Sequence, residues 1–309
     1  MPKKPTRKIS TSAKPARSSR APSKPAPAVG VIGGSGLYEM DELKDVREVK
    51  VRTPFGAPSD GFITGTLDGV PMVFLPRHGR GHRILPAELN FRANIYGMKL
   101  LGVEWLIGVS AVGSMKEEIR PGHIVLPDQF IDRTKNRADT FFGGGVAIHV
   151  ALADPVCPAL HGVLIGAAQE AGAHVHGHGV YLCIEGPQFS TRAESMLHRS
   201  WGVDVIGMTN AQEARLAREA EICYATVALA TDYDCWQQAE EGVTADAIIA
   251  VLARNVESAR RIVRHAAPHR PSPRRCACPR ALANAIITDR RSIPGTARRK
   301  LGLLLGKYL

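Results

Sequence analysis

The stretch Val29-Gly30-Val31-Ile32-Gly33-Gly34-Ser35-Gly36 sets the reading of this chain. A short apolar run ending in glycines reads as a buried strand that hands over to a tight turn. The pattern recurs downstream. Met72–Leu75 runs into Pro76-Arg77-His78-Gly79, and Trp105–Val109 runs into Ser110-Ala111-Val112-Gly113-Ser114. Val203–Ile206 runs into Gly207-Met208-Thr209-Asn210, and Tyr224–Ala230 into Thr231-Asp232-Tyr233-Asp234. His123–Leu126 and Gly179–Ile184 are further strand candidates. Helical stretches fall at 86–101, 156–171, 191–200, 211–221 and 244–264. The last has Thr244 as N-cap and apolar residues at 248, 252, 256, 259 and 263, a spacing of three to four. Strands alternating with helices imply an α/β fold, a largely buried central sheet flanked by helices. Nothing between 29 and 265 resembles a linker, so residues 29–309 read as a single domain. Within it, the Pro- and Arg-rich His269–Arg280 is a loop or hinge, and 281–288 and 298–305 are short closing elements. No repeats are visible.

The 309 residues carry 40 Lys and Arg against 29 Asp and Glu, a net charge of +11 that invites a nucleic-acid reading. Its distribution argues otherwise. Residues 1–28 hold 8 basic and no acidic side chains, and residues 260–309 hold 13 basic and one acidic, Asp289. The stretch 29–259 is therefore acidic, with 19 basic and 28 acidic residues. Any nucleic-acid binding would be weak and confined to the basic tail and the basic C-terminal segment from about 266. Residues 1–28 have almost no large apolar side chain, so they are expected to stay disordered. That segment lacks the apolar core of a secretory signal, and its prolines oppose the helix of a transit peptide. No apolar run approaches the ~20 residues of a spanning helix. Cysteines 157, 183, 223 and 235 stand singly, and Cys276-x-Cys278 is too sparse for a zinc site alone. They read as reduced thiols of a cytoplasmic protein.

Ligands of open α/β sheets bind beyond the carboxyl ends of the strands. Five strand ends here present hydroxyl, guanidinium, imidazole and carboxylate groups. Gly33-Gly34-Ser35-Gly36 offers amides and a hydroxyl suited to an anion. It is not the dinucleotide fingerprint, whose third glycine would fall at Glu39, and no Gly-Lys-Ser/Thr follows. Five cationic or titratable groups crowd Arg77–Arg83, and an Arg fork matches phosphate oxygens. Gly108-Val109-Ser110-Ala111-Val112 falls one glycine short of a nucleophile elbow. His174, His176 and His178 alternate; we read them as an exposed strand edge or turn rather than as metal ligands. Thr191-x-x-Glu194 is a capping box. Asp232 and Asp234 are costly at a strand end unless solvated, paired or used.

On these motifs the chain resembles the 5'-methylthioadenosine phosphorylases of the trimeric purine nucleoside phosphorylase superfamily. The carrying segments are VIGGSGLY, TPFGAPSD, RHGRGHRILP, NFRANIYGMK, SAVGSMKEEIRPGHIVLPDQFIDRT, IEGPQFSTRAES, WGVDVIGMTNAQEA and ATDYDCW, within residues 29 to about 265. The resemblance implies a nucleoside phosphorylase-like fold with a mixed sheet. It also implies phosphorolysis of 5'-methylthioadenosine to adenine and 5-methylthioribose 1-phosphate, in purine and methionine salvage. Phosphate is then a co-substrate, with no metal or organic cofactor, and the assembly is a homotrimer. Carried over by position, Ser35, Arg77, His78, Ser110, Ala111 and Thr209 match the phosphate site. Met208 matches the ribose contact. Asp232, Tyr233 and Asp234 match the purine-recognition strand end, with Asp232 as general acid at purine N7 and Asp234 accepting from the 6-amino group. Relatives acting on 6-oxopurines carry Asn in this motif. Phe189 and Ser190 match residues around the base, and Ala245 and Ile248 the methylthio pocket. His149 matches a residue that a neighbouring subunit donates. Three other readings stay open at this stage: a broader phosphorylase taking adenosine or inosine, a nucleic-acid binder acting through its basic ends, and a serine hydrolase built on Ser110.

Overall fold

The computed structural model describes residues 26–34, 36–237 and 245–309; of helix residues 245–250, 252 and 253 only the backbone is described. Residues 1–25, Ser35 and Thr244 lie outside the described residues. The chain folds into one mixed sheet of eleven strands with helices on both faces. The strands are β1 (Ala28–Gly33), β2 (Lys44–Val49), β3 (Phe62–Leu67), β4 (Val70–Pro76), β5 (Val103–Ser114) and β6 (Ile124–Val125). They continue with β7 (Gln129–Arg133), β8 (Val175–His176), β9 (Val180–Ile184), β10 (Val205–Gly207) and β11 (Cys223–Tyr233). The helices are α1 (Phe91–Leu100), α2 (Pro158–Glu170), α3 (Arg192–Ser200), α4 (Asn210–Glu219), α5 (Ala245–Ala266), α6 (Gly295–Lys300) and α7 (Gly302–Leu305).

Period-two alternation along the buried strands splits the core into two layers. Val29, Val31, Trp105, Ile107, Cys223, Ala225 and Val227 face one layer, closed by α2 and α5. Ala28, Ile32, Val73, Leu75, Leu106 and Tyr224 face the other, closed by α1, α4, α6 and α7. Helix ends follow local chemistry. The Asn90 side chain accepts from the Ala93 amide to start α1, and Thr191 and Glu194 form the expected capping box of α3.

Several elements differ from the sequence reading. The apolar runs stop at Val109 and Ala230, yet β5 and β11 continue into their polar ends, because the two strands pair in parallel from Cys223–Trp105 to Tyr233–Ser114. Strands β2, β3 and β7 carry mixed polar sequence and gave no apolar run. Of the three histidines, only His174 and His176 lie together, joined by His123 from the start of β6 (His123 Nδ1 to His176 Nε2, 3.0 Å). β8 ends at His176, and His178 turns away to Asp128 (2.7 Å). Among the described residues no helix is long and apolar enough to cross a membrane.

Gly97 shows how closely α1 sits on the sheet. A Cβ there would lie 2.4 Å from Cζ of Phe62, which is fully buried. Exchanging a helical Gly for Ala gains about 1 kcal/mol in propensity, but overpacking a core costs about 1–3 kcal/mol. Gly97→Ala is therefore expected to lower the urea midpoint; a raised midpoint would show that Phe62 yields freely.

Candidate active site

The pocket is a consequence of strand order. One edge of β5 pairs with β11 over its length. On the other edge, β1 runs parallel to β5 as far as Ile32–Gly108, and β10 runs antiparallel at Gly113 and Ser114. The carboxyl ends of β1 and β10 thus approach each other across Ser110–Val112, and neither strand covers that stretch. Ligands bind where such ends diverge from pairing. A cavity of about 480 Å³ opens there, lined among others by Gly34, Arg77, His78, Ser110, Ala111, Met208, Thr209, Asp232 and Asp234.

Arg77 braces one wall. It is 3% exposed. Its Nε and Nη2 donate to the Glu213 carboxylate at 2.5 and 3.1 Å, Nη1 to Val109 O at 2.8 Å and Nη2 to Ile32 O at 3.1 Å. This corrects the expectation of an open fork for phosphate. The fork is spent on Glu213, and of five N–H groups one on Nη1 is left for a ligand. Burial works against the cation, but Glu213 outweighs it and keeps Arg77 charged. Glu213 is saturated in turn. Tyr224 Oη donates to it at 3.0 Å, and Asn210 and Thr226 donate to Tyr224 Oη at 2.8 and 2.9 Å. Of the rest of the basic cluster, His82 stacks on His78 and also lines the cavity, whereas Arg80 pairs with Glu48 and Asp60 and Arg83 leans on Asp60, outside the lining.

The remaining phosphate candidates line the same end. Ser110 Oγ has only weak partners, Ala111 O at 3.2 Å and Tyr181 Oη at 3.5 Å. No imidazole is among them, which removes the base a serine nucleophile needs. Thr209 is the N-cap of α4, yet its hydroxyl makes no capping bond and remains available to the cavity. A helix N-terminus favours a bound anion. His78 Nδ1 lies 2.8 Å from Ile84 O. Burial and then the Arg77 charge push its pKa down to about 4. The imidazole is neutral at pH 7, with Nδ1–H given to Ile84 and Nε2 left as an acceptor without a partner among the described residues. Ser35 lies outside the described residues, between Gly34 and Gly36.

At the other end stand the two carboxylates. Asp232 accepts from Thr231 Oγ1 at 2.8 Å. Burial, partly offset by Thr231 and reinforced by Asp234, raises its pKa above the usual carboxylate range. Asp234 is 8% exposed, and its Oδ2 is buried with no partner among the described residues. Ser190 Oγ is likewise unpartnered on the same cavity wall. Phe189, 82% exposed, overhangs the mouth. Met208 lines the middle, its carbonyl held by Arg137 Nη1 at 2.5 Å. The structure does not bring Tyr233 into the cavity. Its hydroxyl donates to Glu117 O at 3.1 Å and its ring meets Trp236 edge-on. His149 is exposed and lies outside the lining, its amide bound to Ala285 O. The side chains of Ala245 and Ile248 lie outside the described residues, at the start of α5.

Residues 28–268 match the phosphorylase superfamily. The chain belongs to that superfamily. The S-methyl-5'-thioadenosine phosphorylase of Geobacter sulfurreducens is 64% identical over 91% of this chain and 99% of its own length. That of Koribacter versatilis is 58% identical over 91% and 96%. Among solved structures, a methylthioadenosine phosphorylase from an antarctic soil metagenomic library superposes with a TM-score of 0.87 at 46% identity, covering 91% of this chain and 100% of that one. A Schistosoma mansoni methylthioadenosine phosphorylase in complex with adenine gives 0.75 at 37%, covering 79% and 92%.

Glu213 and Arg137 went unread in the sequence. Both sit in polar surroundings that look like solvated surface, and the one available signal was Glu213 four residues beyond Thr209 on one helix face. Removing one member of a buried ion pair costs about 3–5 kcal/mol. Glu213→Ala should lose that much stability by urea denaturation and weaken phosphate binding; a loss below 1 kcal/mol would mean the pair is not a brace.

Proposed function

We infer that this chain catalyses phosphorolysis of 5'-methylthioadenosine, giving adenine and 5-methylthioribose 1-phosphate. The observation that carries this reading is the division of the cavity into an anion end and a purine end. Phosphate sits among His78, Ser110, Ala111, Thr209 and the remaining Arg77 N–H; Ser35, outside the described residues, is assigned to it by position in the sequence alone. Met208 packs on the ribose. Asp234 Oδ2, buried and unpaired, accepts from the purine 6-amino group. Asp232, raised toward its protonated form, gives a proton to N7 as the glycosidic bond breaks. Phe189 and Ser190 close on the base, and Ala245 and Ile248, whose side chains lie outside the described residues, are assigned to the methylthio group by the sequence resemblance alone. The sugar passes through an oxocarbenium-like state, which the phosphate dianion stabilises before bonding to the anomeric carbon. So written, the reaction uses phosphate as co-substrate and needs no organic cofactor or metal at this site. The same aspartates favour a 6-amino base over inosine.

Adenine release should depend on phosphate, and Asp232→Ala should lower kcat by roughly 10²–10⁴. Asp234→Asn removes a charge that raises the Asp232 pKa. The protonated fraction then falls, and the descending limb of kcat should move to lower pH. Phosphate-independent release, or an unmoved limb, counts against these roles.

The proposed assembly is a homotrimer acting in the cytoplasm. Its support is an apolar surface on and beside α3, where Met196, Leu197 and Trp201 are 53%, 50% and 42% exposed next to Phe189. Contiguous apolar surface of this kind marks an interface. Covering it would let a neighbouring subunit supply His149 at the cavity mouth. Light scattering should give three chain masses, and Trp201→Glu should dissociate the assembly with loss of activity. A monomeric, fully active intact chain would end this reading. The six cysteines are all free, which suits a reducing compartment.

A further inference from the structure

Four cysteines far apart in sequence meet at the end of the sheet opposite the cavity. Cys223 opens β11, whose other end carries Asp232. Cys157 is the N-cap of α2, and its amide donates to Tyr224 O at 2.8 Å. Cys276 and Cys278 come from the loop after α5, where Cys278 begins a 3-10 turn. The four sulfurs all lie within 4.8 Å of one another, with Cys223 Sγ and Cys276 Sγ at 3.4 Å. Three of the side chains are buried and Cys276 is half-buried.

We propose that Cys157, Cys223, Cys276 and Cys278 form a closed tetrathiolate site for one Zn²⁺ ion. Zinc binds four thiolates tetrahedrally at about 2.3 Å, which places the sulfurs about 3.8 Å apart. The cluster is already gathered at that scale, so little movement is needed. Sulfur donors select zinc over the oxygen-seeking magnesium and calcium. On binding, the thiol protons leave to solvent, and four thiolates around Zn²⁺ carry a net charge of −2. Two arginines stack on the tryptophan beside Cys223. Arg270 and Arg274 lie over the ring of Trp105, at 5.6 and 5.9 Å from its centroid, and Trp105 is the register partner of Cys223.

All four ligand positions come from protein, and the cavity is at the other end of β11. The ion is structural and takes no part in phosphorolysis. It staples the 276–278 loop to the starts of α2 and β11. That loop leads into the segment whose Leu282, Ile293, Leu301, Leu304 and Leu305 cover the second layer of the core.

The test is elemental analysis of the full chain purified under reducing conditions, with cobalt substitution. One zinc per chain is expected, and Co²⁺ in its place should show sulfur-to-metal charge transfer with tetrahedral absorption. Cys276→Ser/Cys278→Ser should lose at least nine-tenths of the zinc. His174→Ala/His176→Ala should keep it, which separates this site from the His123–His174–His176 group. If the cysteine variant does not fold, the unmodified chain still decides: a mercurial should release one zinc as four thiols react. Reduced protein without zinc or cobalt uptake, cysteine variants that keep the metal, or these cysteines paired as disulfides would each overturn the proposal.

Discussion

The buried pair of Arg77 and Glu213 is the interaction on which the site depends. Their side chains are 4% and 2% exposed. Desolvating two charges costs several kcal/mol each, and attraction repays this only when the remaining donors and acceptors are satisfied. Here they are. Arg77 binds a carbonyl near the end of β1, Ile32 O, and one in the middle of β5, Val109 O, and Glu213 is completed by Tyr224, itself supported by Asn210 and Thr226. Four elements, β4, β1, β5 and α4, are thereby fixed at the point where β1 and β10 converge. The gap on β5 keeps its width because a charged strut spans it.

That strut also explains how an acidic body handles an anionic co-substrate. Arg77 brings one positive charge, and Glu213 cancels it at close range. In the proposed reaction, attraction for phosphate then rests on oriented dipoles: the α4 N-terminus and the Ser110 and Thr209 hydroxyls. Such donors act within a few ångströms and need no long-range field. The basic excess lies elsewhere and is partly neutralised. Arg274 pairs with Glu104 at 3.2 Å, and Lys307 with Glu221 at 2.5 Å. The high net charge therefore says little about the cavity.

The sequence made the site more legible than its supports. Strand ends rich in Gly, Ser, His and Asp stand out against apolar runs, so Arg77, Ser110, Thr209 and Asp232 could be named by position. All of them line one cavity. Edge strand β2, Lys44–Val49, could not be read, because solvent-facing strands lack the apolar run that betrays a buried one. Glu213 was hidden because a buried charge and a surface charge look alike until the partner is known. Tyr233 was misplaced for a related reason: neighbours on a strand face opposite ways, so Asp232 and Asp234 can share a wall that Tyr233 does not. The cysteine cluster was invisible for a purely topological reason. C-x-C supplies two sulfurs, and the other two arrive from α2 and β11 only when the sheet closes.

The pattern of saturation separates framework from ligand-facing groups. The framework charges are fully partnered. At the proposed purine end, Asp234 Oδ2 and Ser190 Oγ are buried without partners among the described residues. An unsatisfied buried polar atom costs about 1–3 kcal/mol. Long pairing of β11 with β5 holds Asp234 in place against that cost, with its amide donating to Ser114 O at 3.0 Å. In the proposed binding mode, a 6-amino purine returns the missing hydrogen bond. A 6-oxo purine sets an acceptor against an acceptor and leaves the penalty in place, and sites built on a buried polar group discriminate strongly against ligands that cannot pair with it. Selectivity at this end therefore follows from what the protein leaves unpaired.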